Sequence, residues 1–159
     1  MRAFIAINVP EFVNDAFVEL QSILRIGKPV SHEQFHLTLV FLDEQTDELI
    51  EEAHHSLEKL HMPKFEVKLQ GLDTFGSKAP NTLYVGIEKN EALDRLQEKI
   101  IGALRSAGVR LDRKRFRPHV TIARFGYRLS KADLNRLRDF MVGYADFGPV
   151  SFTVESFSL

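Results

Sequence analysis

His36-Leu37-Thr38-Leu39-Val40-Phe41-Leu42 returns 83 residues later as His119-Val120-Thr121-Ile122-Ala123-Arg124-Phe125, and this recurrence decides how the chain is read. Each copy alternates a polar with an apolar side chain over its first four positions, the period of a strand with one face buried. Read as strands, they put His36 beside Thr38 on one face and His119 beside Thr121 on one face. Leu37, Leu39, Val120 and Ile122 then point into packing. Each strand presents one imidazole and one hydroxyl on an aliphatic backing.

The elements around each copy come in the same order. Phe4 to Val9 is an apolar run ended by Pro10, and Val13, Phe17, Leu20 and Leu24 follow at helical spacing. In the second half Thr82 to Ile87 reads as a strand, and Leu93, Leu96, Ile100 and Leu104 form an apolar helical face stopped by Gly108. After each histidine strand comes another helix. Thr46 caps the first, with Asp47 and Glu48 in its opening turn and Leu49, Ala53, Leu57 and Leu60 on one side. Ser130 and Asp133 open the second, which carries Leu134, Leu137 and Met141. Each half closes with an extended segment, 65–75 and 152–159. Strand-helix-strand-helix-strand, written twice at about 1–78 and 79–159, suits an α+β or α/β domain of two related lobes with one site in the cleft between them. Whether the lobes exchange strands is open at this level.

Bulk properties narrow the function. The chain has 159 residues, 44% of them hydrophobic, enough for the core of one domain. No apolar run is long enough to span a membrane, and the stretch from Met1 to Ile7 lacks the length and cleavage site of a secretory signal. The absence of cysteine excludes disulfides, thiol catalysis and cysteine-ligated zinc, which leaves a cytoplasmic enzyme or binding module; a monomer is the expected state. Net charge is −1, yet Arg110, Arg113, Lys114, Arg115 and Arg117 crowd one stretch, with Arg124 and Arg128 soon after. A near-neutral chain with one basic region fits a single phosphate-bearing ligand better than tracking along a nucleic-acid backbone.

Two imidazoles and two hydroxyls facing one another suit in-line displacement at phosphorus. One neutral histidine takes a proton from water while the other, protonated, gives one to the departing sugar oxygen. With an unperturbed pKa of about 6.5, histidine holds both forms near neutrality. The threonine hydroxyls donate to the non-bridging phosphate oxygens. This scheme needs no metal and no cofactor. A single histidine on an apolar strand is more often structural; two at equivalent places in a repeat are harder to assign to packing.

The chain resembles the 2H phosphoesterase superfamily, defined by two His-x-Thr/Ser-x motifs, and within it the RNA 2',3'-cyclic phosphodiesterase, or 2'-5' RNA ligase-like, family. The likeness runs from Arg2-Ala3-Phe4-Ile5-Ala6-Ile7 through Phe35-His36-Leu37-Thr38-Leu39, Gly71-Leu72-Asp73-Thr74-Phe75, Tyr84-Val85-Gly86-Ile87 and Phe116-Arg117-Pro118-His119-Val120-Thr121-Ile122-Ala123-Arg124 to Val154-Glu155-Ser156-Phe157-Ser158-Leu159. It implies a bilobal, duplicated α+β fold whose mainly antiparallel sheets line a central cleft. It further implies metal-free hydrolysis of RNA 2',3'-cyclic phosphate ends, tRNA fragments among the candidates, to 2'-phosphates. His36 is then the proton donor to the 3' oxygen and His119 the acceptor from water, with Thr38, Thr121 and Arg124 on the phosphate. ATP-independent 2'-5' joining of RNA ends is the related reverse chemistry. Many relatives continue the first motif with Lys-Phe-Leu-Gly, where this chain has Val40-Phe41-Leu42-Asp43. That exchange removes a cation and replaces a turn glycine. In a regular strand Arg124 shares a face with Val120 and Ile122, so it reaches the phosphate only if the strand ends, twists or bulges.

Other signals carry less. His32-Glu33-Gln34-Phe35-His36 matches a zinc-protease pattern that works only on a helix, whereas the second histidine opens a strand. His54, His55 and His61 are read as solvent-facing. Phe4 and Phe41 are the candidates to stack a base. The competing functions are hydrolysis of a small cyclic nucleotide or 2'-5' oligonucleotide, and a non-catalytic RNA- or nucleotide-binding module.

Overall fold

The computed structural model describes residues 1–31, 35–76, 78–126 and 128–159. The apolar run after Met1 forms strand β1 (Arg2–Asn8), and Pro10 caps helix α1 (Glu11–Leu24), where a fixed φ and a missing N–H cost nothing. Val13, Phe17, Leu20 and Leu24 are its buried stripe. A two-residue strand, β2 (Lys28–Pro29), precedes β3 (His36–Glu44), the first motif. Thr46 caps α2 (Asp47–Glu58) by accepting from the Leu49 amide at 3.2 Å. Strands β4 (Phe65–Phe75) and β5 (Thr82–Ile87) follow. Helix α3 (Glu91–Ser106), capped by the Asn90 side chain, buries the expected Leu93, Leu96, Ile100 and Leu104. Strand β6 (His119–Arg124) is the second motif, followed by α4 (Lys131–Gly143), capped by Ser130, and β7 (Val150–Val154).

Helix α4 departs from its expected face at one residue. Leu137 is buried with Phe140, while Leu134 is exposed and Met141 only partly covered. Leu137 and Phe140 meet the core, with Met141 and Tyr144 partly buried against it, so of the three expected residues only Leu134 turns outward.

All pairings are antiparallel. The sheet runs β1-β3-β6-β5-β4-β7, with β2 alongside β6. The two sheets expected from the repeat meet edge to edge at one pair, Leu37 with Val120, which makes them one α+β sheet. Strands are exchanged between the halves of the chain. β4, from the first half, pairs with β5 and β7 of the second, and Ser158 returns to bridge Ala6 of β1 through reciprocal bonds of 3.0 and 2.9 Å. The helices cross over as well, since α1 packs on α4 and β6 while α3 packs on α2, β3 and β4. Their apolar stripes meet Leu37, Leu39, Val120, Ile122, Leu83 and Val85 in one core cluster. The apolar positions of β3 and β6 are thereby buried, and their histidines and threonines are left on the open face.

Candidate active site

β3 and β6 share one burial rhythm. Histidine and threonine are half-buried, the intervening aliphatics fully buried, and then two consecutive buried residues precede an exposed one. The doubled burial marks a bulge in each strand. On β3 the pairing with β1 steps from Thr38 to Val40 and skips Leu39; on β6 the pairing with β5 steps from Thr121 to Ala123 and skips Ile122. One extra residue moves every following side chain to the other face. Phe41 and Arg124, each five residues after its histidine, therefore lie on the histidine face. Arg124, opposite Thr82, now shares a side with Thr121 and His119.

The Leu37–Val120 pair brings the motifs together. Carried one residue either way, its antiparallel register sets His36 opposite Thr121 and Thr38 opposite His119. The histidines occupy diagonal positions, with Cα atoms on the order of 7–8 Å apart.

The histidine environments differ. His119 Nδ1 lies 2.6 Å from the Arg117 carbonyl oxygen. A carbonyl only accepts, so Nδ1 carries the proton and the neutral ring keeps its lone pair on Nε2. Phe75 meets this ring edge-on at 4.8 Å and Tyr84 lies at 5.0 Å, the two aromatics stacking on each other at 4.2 Å. Burial pulls the His119 pKa below the usual histidine value, and the Arg117 carbonyl opposes it. Burial also lowers His36, countered by the neighbouring Phe35 carbonyl. That carbonyl stands outside hydrogen-bond geometry, and His36 Nδ1 is buried with no partner among the described residues. Phe4 packs on the His36 ring at 5.5 Å and lies 6.5 Å from Phe41. Both base-stacking candidates are thus on the site face, 41% and 61% exposed.

Thr38 and His119 line one cavity of about 410 Å³, which runs past Phe41 to Phe116 and the 110–117 segment. His36 opens instead on a neighbouring space of about 320 Å³ with Phe4, Ala6 and Asn8. Arg124 lines neither; it pairs with Lys28 of β2 at the opposite end of the motif strands. The first three residues of the zinc-like pattern at 32–36 lie outside the described residues, and its last, His36, opens a strand. His54 and His55 face solvent on α2, His54 against Glu58 at 3.0 Å.

Sequence reading missed three contributors. Phe75 and Tyr84 wall His119 from strands whose pairing local pattern does not reveal. Gln21 of α1 donates through Nε2 to the carbonyls of Val30 at 2.6 Å and Ile122 at 2.7 Å, the latter also receiving the Val30 amide at 3.1 Å. Ile122 is the extra residue of the β6 bulge, so Gln21 clamps the irregularity that turns Arg124 toward the site. Its place at the border of the Val13, Phe17, Leu20 and Leu24 stripe is the one signal in the sequence that could have found it.

A family model for the 2'-5' RNA ligase superfamily matches residues 14–159. An RNA 2',3'-cyclic phosphodiesterase of Thermotoga maritima is 31% identical, the alignment covering all of this chain and 85% of the relative. A Thermus thermophilus protein of the same name is 34% identical over 78% of this chain and 68% of its own length. Among solved structures, a Thermus thermophilus protein superposes with a TM-score of 0.78 at 29% identity, covering 99% of this chain and 86% of that one. The E. coli LigT structure with 3'-AMP has the same fold, with a TM-score of 0.78 at 19% identity and 99% and 85% coverage. The chain belongs to the 2'-5' RNA ligase superfamily.

Proposed function

We propose that this protein hydrolyses the 2',3'-cyclic phosphate ends of RNA to 2'-phosphates by acid–base catalysis between His119 and His36. The observation that carries the reading is the Leu37–Val120 register, which sets two His/Thr pairs diagonally on one open sheet face. Named relatives with this activity support it.

His119 Nε2, its lone pair free because Nδ1 is committed to Arg117, takes a proton from water. The water oxygen bonds to phosphorus as the bond from phosphorus to O3' breaks, and His36 gives its proton to O3'. One water is consumed, a 2'-phosphate and a 3'-hydroxyl result, and the histidines exchange protonation states until solvent resets them. Thr38 and Thr121, beside opposite rings, donate to the non-bridging oxygens while charge builds on them. Arg124 supplies a cation at the far end of β6. The diagonal spacing leaves room for phosphorus between the rings.

The same reading takes 1–159 as one domain with repeat halves at about 1–78 and 79–159, working as a cytoplasmic monomer without metal on RNA fragments, tRNA pieces among them. Ligation through a 2'-5' linkage is the same displacement with the 5'-hydroxyl of a second RNA in place of water: its oxygen bonds to the phosphorus of the cyclic end as the bond to O3' breaks and O3' takes a proton. The test is incubation of a short RNA ending in a 2',3'-cyclic phosphate, in EDTA, with the product end identified. A 2'-phosphate, lost in His36→Ala and His119→Ala, supports the proposal. A 3'-phosphate, or activity that EDTA abolishes, overturns it. Binding without turnover points to the non-catalytic module.

A further inference from the structure

Thr38 and His119 line only part of the 410 Å³ cavity, which also runs past Phe41 to Phe116 and the 110–117 segment. Arg110, Lys114, Arg115 and Arg117 line it against two acids, Asp43 and Asp112. This local excess of positive charge sits in a chain whose net charge is −1. The ion pairs among the described residues lie elsewhere, at residues 1/44, 54/58, 55/51, 55/58 and 64/155. The four cations are exposed, none of them forms an ion pair among the described residues, and they outnumber the two carboxylates that line the cavity with them. The cavity is charged for an anion, and Phe41 and Phe116 give it aromatic surface as well.

The chemistry of the substrate says which anion. A 2',3'-cyclic phosphate stands at a 3' end, so the RNA continues only through the 5' oxygen of the terminal sugar. Beyond the cyclic phosphate the terminal nucleoside is uncharged. The next negative charge is the phosphodiester joining it to the preceding nucleotide. Besides His36, the neighbouring space at Phe4, Ala6 and Asn8 is lined by Arg2 and by the Met1 ammonium, which Glu44 pairs at 2.8 Å; with one unpaired side-chain cation among the described residues it suits a neutral nucleoside. Four cations do not.

Building on the phosphodiesterase reading, we propose that this cavity is a subsite for the nucleotide immediately 5' of the cyclic phosphate. Lys114, Arg115 and Arg117 take its phosphodiester, and its base lies against Phe41. The enzyme then prefers oligonucleotide ends over cyclic mononucleotides. A base–aromatic stack tolerates any base, so the preference is for length rather than sequence.

The test compares kcat/KM for a nucleoside 2',3'-cyclic monophosphate with that for a dinucleotide carrying the same end, in wild type and in Lys114→Ala/Arg115→Ala. The dinucleotide-to-mononucleotide ratio should fall about tenfold in the double variant, two exposed charge contacts each contributing a few-fold under screening. Between about 50 and about 200 mM salt, the wild-type dinucleotide slope in a log–log plot should be steeper by about 0.7 per phosphate engaged. Phe41→Ala should lower the same ratio without changing the salt slope. A ratio that stays constant because both substrates fall together would place the terminal nucleoside in this cavity and overturn the proposal, as would a ratio unaffected by all substitutions. If wild type turned over neither substrate, the function proposed above would fail on its own. The subsite would then be read by affinity for a dinucleotide against a mononucleotide, each ending in a 2'-phosphate; equal affinities would refute it.

Discussion

Replacing Gln21 tests whether a side chain on α1 governs the geometry of β6. Its amide donates two hydrogen bonds, at 2.6 and 2.7 Å, to the carbonyls of Val30 and Ile122. In Gln21→Leu both are lost at a half-buried position, while the Ile122 oxygen keeps the Val30 amide at 3.1 Å. At about 0.5–1.5 kcal/mol net per bond, the loss comes to about 2 kcal/mol. For a domain of this length that lowers Tm by roughly 4–8 °C. Gln21→Glu should be worse near neutrality, because a carboxylate offers no donor and faces two carbonyl oxygens. The sign of its pH dependence follows. Those carbonyls raise the folded-state pKa of the new carboxyl above its unfolded value of about 4.3, so this variant is relatively most stable below that value and loses stability as pH rises through the raised pKa. Thermal denaturation of the three proteins at acid and neutral pH reads the order directly. Kinetics on the cyclic-ended dinucleotide should show both variants impaired at a temperature where they remain folded, because the bulge that orients Arg124 has lost its clamp. Melting of Gln21→Leu within about 1 °C of wild type, with unchanged kinetics, would refute the clamp.

Three further outcomes are expected. His36→Ala and His119→Ala should each lower turnover roughly 10²–10⁴-fold on an RNA cyclic end, and either one retaining full activity removes that residue from the mechanism. Burial lowers both histidine pKa values, and the proposed roles need His119 neutral with His36 charged. The bell of kcat/KM should therefore peak below about pH 6.5, and the bell of kcat at higher pH, because a bound phosphate anion raises both values; identical optima above neutrality would contradict the assignment. Asp43 holds a left-handed backbone at φ 55, a conformation glycine adopts without strain, and it is one of the two acids lining the basic cavity. Asp43→Gly should stabilise the fold by about 0.5–1 kcal/mol in denaturant unfolding and tighten dinucleotide binding, and a loss on both counts refutes the reading.

Local chemistry is legible in the sequence. The histidine strands, the apolar stripes of α1 and α3, and the caps at Thr46 and Ser130 depend on neighbours within a few residues, so their spacing announces them. On helix α4 Leu137 and Met141 lie against the core as their spacing predicts, while Leu134 is left exposed and Phe140 is buried, because the neighbouring elements set where the covered face ends. His36, the last residue of the zinc-like pattern, opens a strand, as its alternating neighbours announce.

By itself, then, the sequence determined that two His-x-Thr strands recur in equivalent settings, and with them the chemistry available to the site. Tertiary structure decided the rest. Period-two alternation turns Arg124 away from the histidines; the extra residue at Ile122, seen only through pairing with β5 and clamped by Gln21 a hundred and one residues earlier, turns it back. The same holds for the seam at Leu37 and Val120, for the exchange of β4 and Ser158 between halves, and for which cations border the cavity. The physical reason is shared: hydrogen-bond register between strands is a property of pairs of distant segments, and a one-residue difference in it reverses every side chain that follows.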